Sequence, residues 1–202
     1  MNKGAIRTHF KALLNRSDIT DVLADTFVDQ GLSRIQRTLR VPSMEKIQAY
    51  TISSQTAKIV VPADLLEILD IYHGNNILTR VPLHEMLTMK ATGQAGIAKF
   101  FTQQGGDVIL FPEPTSGVVN ISYYGQFAVM AQDSDENSIA AFASDMIIYA
   151  ALTYAGDYYL DERANIFEQK FVGFMLEVQE QANEAAQSGA VQVMRPSATY
   201  TD

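Results

Sequence analysis

The sequence contains no cysteine and no tryptophan. The lack of thiols excludes a disulfide scaffold, thiolate zinc sites, iron–sulfur clusters and cysteine nucleophiles. The chain also lacks any apolar run near the roughly 18 residues of a membrane helix, and its first residues mix charged with apolar side chains. We therefore expect no membrane span and no signal peptide, and a cytosolic or particle-assembled protein.

The composition, with 47% hydrophobic and 19% charged residues, is typical of a globular protein with one generous domain or two small ones. The formal charge of -8 is spread unevenly, since residues 1–40 carry +3 and residues 131–202 carry -9. Binding to nucleic acid by counterion release needs a concentrated basic face, which only the first segment offers. We expect the acidic C-terminal third to repel DNA.

Both ends of the chain show the 3.6-residue period of helices. The second helix is expected to be capped by Ser17 or Asp18, and the third is apolar nearly all round, which predicts a buried core helix. The predicted helices span residues 4–14, 18–40, 138–159 and 162–186.

Between residues 44 and 130 the period falls to about two, which predicts an antiparallel β region of five to seven short strands. A helical turn is predicted at Pro62 and a short helix from Pro82 to near Gly93. The segment 108–111 is apolar on both faces and predicts a central strand. The predicted strand segments are 45–53, 57–61, 66–73, 77–81, 97–103, 107–111 and 118–125.

These patterns predict an α+β fold. The N- and C-terminal helices, residues 1–43 and 131–186, form a helical bundle, and residues 44–130 form the inserted antiparallel β region. Residues 187–202 show no period and predict an extended C-terminal tail that a partner orders.

No metal-binding, nucleotide-binding or nucleophile motif is present, and we expect no cofactor and no catalytic residue. The best acid candidates are Asp145 and Asp157 on the apolar helix, although such acids are more often structural partners of arginine. Arg34, Arg37 and Arg40 step by three and predict a basic ridge. That ridge is either a solvated helix end or a contact with phosphate or with a partner's carboxylates.

The order of several short motifs resembles the head-to-tail adaptor proteins of tailed bacteriophages, particularly those of short-tailed phages. The motifs are Arg-Ile-Gln-Arg-Thr-Leu-Arg at 34–40, Val-Val-Pro-Ala-Asp-Leu-Leu-Glu-Ile at 60–68, Phe-Pro-Glu-Pro at 111–114, Ile-Ser-Tyr-Tyr-Gly at 121–125 and Gly-Asp-Tyr-Tyr-Leu-Asp-Glu at 156–162. The resemblance covers nearly all of residues 4–186.

The resemblance implies a structural virion protein, assembled in the host cytoplasm, that forms a twelve-fold adaptor ring joining the capsid portal to the tail. DNA would pass through the ring without specific binding, and the β region would contact the nozzle or fibre proteins of the tail. The C-terminal tail would reach along the portal protein. The portal-binding residues would be Val191, Val193, Met194, Arg195 and Tyr200.

Two other functions stay open on the residues alone. One is a carboxylate-based glycan hydrolase that uses Asp145 or Asp157. The other is a soluble module whose β region holds a ligand.

Overall fold

The structure, a computed structural model of the 202-residue chain, describes residues 1–187. It divides into two compact units. The helical unit comprises Met1–Pro42 and the chain from Met130 onward, and the β unit comprises Ser43–Val129. The predicted α+β class is confirmed. The predicted tail lies outside the described residues, apart from Gln187, which ends the last helix.

Residues 1–187 form six α-helices, of which the third belongs to the β unit and the other five to the helical unit, and a short 3-10 helix at Pro42–Met44. The helices are α1 (Lys3–Leu14), α2 (Asp21–Thr38), α3 (Leu83–Lys90), α4 (Ser138–Phe142), α5 (Ser144–Tyr158) and α6 (Ala164–Gln187).

The second helix is shorter at both ends than its period predicts. Thr20, rather than Ser17 or Asp18, caps α2 with its side-chain oxygen, so the predicted cap was wrong. The helix ends at Thr38 because Leu39 takes an extended conformation and its side chain is fully buried.

The single helix predicted for residues 138–159 is divided into α4 and α5. Ala143, with φ -134° and ψ 50°, leaves the helical region between them. The side chain of Asp145 then accepts a hydrogen bond from the N–H of Met146 at 2.8 Å at the start of the new helix. A helix break stabilised by a polar side chain does not change the spacing of the apolar residues. Hydrophobic periodicity therefore did not predict the break.

The helical unit is built around α5, against which α1, α2 and α6 pack. Residues on all sides of α5 are buried, as its all-round apolar pattern predicts. Gly31 allows α2 to approach closely, because a Cβ there would lie 3.0 Å from the backbone nitrogen of Ala151. The largest fully buried side chains of the unit include Ile6, Phe10, Leu14, Ile35, Ile139 and Phe171.

The β unit contains two four-stranded sheets. Its strands are β1 (Glu45–Ile52), β2 (Lys58–Val60), β3 (Leu65–His73), β4 (Asn76–Ile77), β5 (Thr79–Arg80), β6 (Phe100–Gln104), β7 (Asp107–Phe111) and β8 (Gly117–Gly125). One sheet has the order β1-β8-β3-β4 and the other β2-β7-β6-β5.

Three details of the β unit differ from the predictions. The described residues form eight strands rather than five to seven, and β5 pairs with β6 in parallel. Pro62 begins a simple turn rather than the predicted helical turn. In this turn the N–H of Leu65 donates to the carbonyl of Pro62 at 3.1 Å. The next strand begins at once, because the β-branched and apolar residues that follow pair with β8.

The core of the β unit confirms the predicted central strand. β7 lies inside its sheet between β2 and β6. Val108 and Leu110 are fully buried in the main β core, while Ile109 packs against a second cluster with Val81 and Met86. The strand is therefore covered on both faces, as an uninterrupted apolar run predicts.

Candidate assembly surfaces

The basic face of α1 is neutralised by acidic residues inside the helical unit. Arg7 forms an ion pair with Asp25 at 3.0 Å and a second one with Asp133. Lys11 forms an ion pair with Asp21 at 2.8 Å, and that hydrogen bond lowers the pKa of Asp21. The one basic segment of the sequence therefore does not present a free cationic face to nucleic acid.

Arg34 joins α2 to α6. Its guanidinium donates two hydrogen bonds to the Glu168 carboxylate, at 2.8 and 2.5 Å, and lies 4.4 Å from the ring centroid of Phe171. The hydrogen bond from Arg34 lowers the pKa of Glu168. A bidentate pair beside an aromatic ring fixes the relative position of the two helices.

The other two arginines of the predicted ridge have different surroundings. Arg40 lies beyond the end of α2, and its guanidinium donates to the carbonyls of Leu39 at 2.7 Å and Gln36 at 3.1 Å. Arg37 is exposed on α2, and no described residue forms a hydrogen bond or ion pair with its side chain. The three arginines therefore do not form one basic surface. Of the three, only Arg37 has a side chain that remains available to a partner.

Arg37 differs in this respect from every other lysine and arginine described in the helical unit. All the others contact a carboxylate, a carbonyl or a tyrosine hydroxyl within the unit. These paired residues are Lys3, Arg7, Lys11, Arg16, Arg34, Arg40, Arg163 and Lys170.

The face of α6 that points away from the core carries large apolar side chains in contact with solvent. Ile166, Val172 and Leu176 are 52%, 40% and 58% exposed. Gly173 lies among them, with nothing within 4 Å of the position that a Cβ would take. We name these four residues the α6 apolar face. The sequence analysis did not identify this face, because a period of 3.6 residues does not show which apolar residues of a helix stay exposed.

The same outer side of α6 becomes acidic towards the end of the helix. Three glutamates spaced by three and four residues are exposed, and none of them forms an ion pair within residues 1–187. We name this stripe, Glu177, Glu180 and Glu184, the α6 acidic stripe.

The β unit leaves a main-chain surface open. Its first strand, β1, pairs along all eight residues with β8 and lies at the edge of its sheet, and no described strand pairs with its other side. Ile47 on this strand is 65% exposed, and no charged residue follows Lys46. The other three sheet edges are strands of only two or three residues, the length by which proteins commonly protect edges.

A cavity of about 360 Å³ lies at the loop end of the β unit, where His73, Ser116 and Gly117 are among the lining residues. His73 is buried, its Nδ1 accepts the N–H of Ala98 at 3.1 Å, and its Nε2 donates to the carbonyl of Ser116 at 2.9 Å. Both ring nitrogens are used in holding loops together, and the residues lining this cavity include no Asp, Glu, Lys or Arg. The arrangement indicates a structural histidine.

The two acids weighed for glycan hydrolysis are not brought together. Asp145 and Asp157 are both exposed, and they lie twelve residues apart on α5, about 18 Å along the helix axis. Hydrolysis by a carboxylate pair needs a separation of about 5 to 9 Å. Neither acid is buried, and no observation favours this alternative.

Three further findings concern other site types. No group of histidine and carboxylate side chains in residues 1–187 is arranged to hold a metal ion. None of the helices in that part of the chain is both long and apolar enough to cross a membrane. The predicted portal-binding residues lie outside the described residues: Val191, Val193, Met194, Arg195 and Tyr200.

The family model described as SU10 adaptor protein matches residues 1–195, which is nearly the whole chain. No curated protein matches the sequence.

Proposed function

The chain belongs to the SU10 adaptor protein family, a head–tail adaptor family of short-tailed phages, and from this membership we propose that its copies form a ring between the capsid portal and the tail. The structural adaptor role and the place in the virion follow from the family. The ring, its twelve copies, its passage for DNA and its assembly in the host cytoplasm are our proposal.

The main observation in support of the proposed ring is the α6 apolar face. Exposed single apolar residues are common, but several of them on one helix face around a glycine are typical of an interaction surface. A closed ring is held by heterologous contacts, in which one surface of a subunit meets a different surface of its neighbour. α6 offers such a surface without disturbing the helical core, because its opposite face contains the buried Phe171.

Passage of DNA without adhesion is supported by the charges of the helical unit. The net charge of the chain is -8, and the basic side chains of α1 are engaged by acids of the same unit. A channel wall of this kind does not release counterions from DNA and so gives it little affinity.

Contact with tail proteins is assigned to the β unit. The open side of β1 offers eight residues of main chain, which an extended segment of a nozzle or fibre protein can join as an additional strand. The portal contact is assigned to the C-terminal segment with Val191, Val193, Met194, Arg195 and Tyr200, which offers apolar side chains and no helical period.

The test is mass photometry of the full-length protein with and without purified portal rings. We expect a defined ring species on the portal, and weaker portal binding by a variant that lacks residues 188–202 but keeps α6 intact. A full-length protein that stays monomeric at all concentrations and never loads the portal would contradict the ring. Equal loading by the truncated protein would contradict the portal role of the C-terminal segment.

A further inference from the structure

We propose that Arg37 of one copy docks against the α6 acidic stripe of the next copy, and that this pair fixes how neighbouring subunits meet in the ring. The inference rests on the proposed ring and names the two surfaces that form it. It also decides between the two contacts open to the arginine ridge, in favour of a partner's carboxylates over phosphate.

The first step is the orientation of the two helices. Within one chain, Arg34 contacts Glu168, Thr38 lies 3.4 Å from the Met175 sulfur, and the backbone N–H of Arg40 donates to Gln179 at 3.3 Å. The residue numbers of the contacts rise together in α2 and α6, so the two helices run in parallel. The end of α2 at Thr38 is level with Met175, and α6 continues for twelve more residues, about 18 Å, to Gln187.

The second step is the outer face of α2. Five exposed residues recur every three or four residues and so lie on one side of the helix, away from α5: Val22, Thr26, Asp29, Ser33 and Arg37. On this side Asp29 forms an ion pair with Lys3 of its own chain at 3.7 Å, whereas the side chain of Arg37 has no partner among the described residues. The C-terminal end of this side therefore carries a free charge opposite in sign to that of the α6 acidic stripe.

The third step is the level at which the charges meet. A cyclic ring relates neighbours by rotation alone, without a shift along its axis. For helices that run along that axis, Arg37 of one copy is level with the stretch near Phe174 in the next copy. Glu177 is only one turn further, about 5 Å at a rise of 1.5 Å per residue, which an arginine side chain spans.

The fourth observation is that these charged side chains lack partners within residues 1–187 of their own chain. Arg37 has no partner among the described residues, and neither have Glu177, Glu180 and Glu184. Other cations of the described helical unit are engaged in their own subunit. A second copy supplies both missing partners at once, because within each copy α2 contacts Glu168, on the side of α6 opposite the acidic stripe.

The experiment uses full-length chains and charge reversal. Arg37→Glu alone, and Glu177→Arg with Glu180→Arg and Glu184→Arg in one chain, should each raise the concentration for half-assembly on portal rings at least about tenfold, because like charges then meet. The matched control is Arg80→Glu in the β unit, an exposed arginine that should assemble like the wild type. Circular dichroism should show unchanged folding in all three variants.

Mixing the two reversed chains in equal amounts should restore assembly, with the two chains alternating around the ring. Native mass spectrometry should find them in equal numbers. If Arg37→Glu assembles into rings as well as the wild type does, this inference is wrong but the proposed ring is not. If the wild type forms no ring, both the inference and the proposed ring are wrong. Loss of duplex binding in gel shifts by Arg37→Glu, with assembly unchanged, would assign Arg37 to phosphate and also overturn it.

Discussion

The two units of this protein expose different parts of the chain to partners. In the helical unit, main-chain groups within the helices are satisfied there, and the α6 apolar face and α6 acidic stripe offer side chains. In the β unit, β1 offers an open line of main-chain donors and acceptors. Side-chain surfaces select a partner by shape and charge, whereas a sheet edge accepts any suitable extended segment. Under the proposed function, the helical unit would bind identical copies selectively and the β unit would bind other proteins by strand addition.

The units also differ in how they use charge. Paired acids and bases join α1, α2 and α6 in the helical unit, as the contact of Arg34 with Glu168 illustrates. Ion pairs are sparser in the β unit. Among the described residues, the side chains of Arg80 and Lys99 form no ion pair. The ion pairs of the helical unit hold the helices in one arrangement. A binding surface formed by two helices requires such a fixed arrangement.

The largest expected effect tests whether the two faces of α6 have separate roles. Phe171→Ala should lower the free energy of unfolding by about 3 to 5 kcal/mol, because the side chain is fully buried. The neighbouring Val172→Ala should change it by less than about 0.5 kcal/mol while weakening assembly. Urea denaturation and mass photometry measure the two effects. Unchanged folding with lost assembly in Phe171→Ala would show that the core and interface faces have been exchanged.

The next effect tests whether the loop end of the β unit depends on one histidine. His73→Leu should lower the free energy of unfolding by about 1 to 3 kcal/mol, because the buried N–H of Ala98 loses its acceptor. Thermal denaturation provides the measurement. His84→Leu on the exposed side of α3 is the matched control and should be nearly neutral. Equal stability of the two variants would mean that the loops hold without His73.

A smaller effect separates two arginines that lie one turn apart. Arg34→Ala should cost about 1 to 2 kcal/mol of folding stability through its lost contacts with Glu168 and Phe171, the ion-pair part being reduced by solvent screening. Arg37→Ala should leave stability within about 0.5 kcal/mol of the wild type. Chemical denaturation of both variants decides this. A similar loss in Arg37→Ala would mean that Arg37 has a partner in its own subunit.

The smallest effect concerns acid. Three hydrogen bonds from the Arg163 guanidinium lower the pKa of Asp161 from 3.8 to about 2. A lowered folded-state pKa gives stability that is present above pH 3.8 and lost as the pH falls to about 2. We expect the wild type to lose stability more steeply than Asp161→Asn over this interval in thermal melts. Parallel curves would show that the pair contributes nothing.

Part of the fold is evident from period and composition. The change from a 3.6-residue to a 2-residue period and back is a local property of neighbouring side chains, and it predicts the α+β class and the central strand β7. The order of short motifs indicated the adaptor family that the family model then matched. The predicted division into domains stays a prediction, as do the portal-binding residues.

Other features depend on contacts between distant residues, which local periodicity does not contain. The break at Ala143 and the parallel pairing of β5 with β6 are examples. The clearest example is the arginine ridge, where equal spacing along the sequence predicted one common surface. Only the packing of α2 against α6 assigns Arg34 to an internal ion pair and leaves Arg37 exposed.

The sequence by itself determined the fold class, the negative charge and the lack of thiol chemistry, because each depends on residue type and local spacing. The tertiary structure decided which charges remain free, which face of α6 is exposed and which sheet edge is open. These are properties of pairs of residues far apart in the chain. A side chain or a main-chain group becomes available to a partner only when folding has left it unpaired.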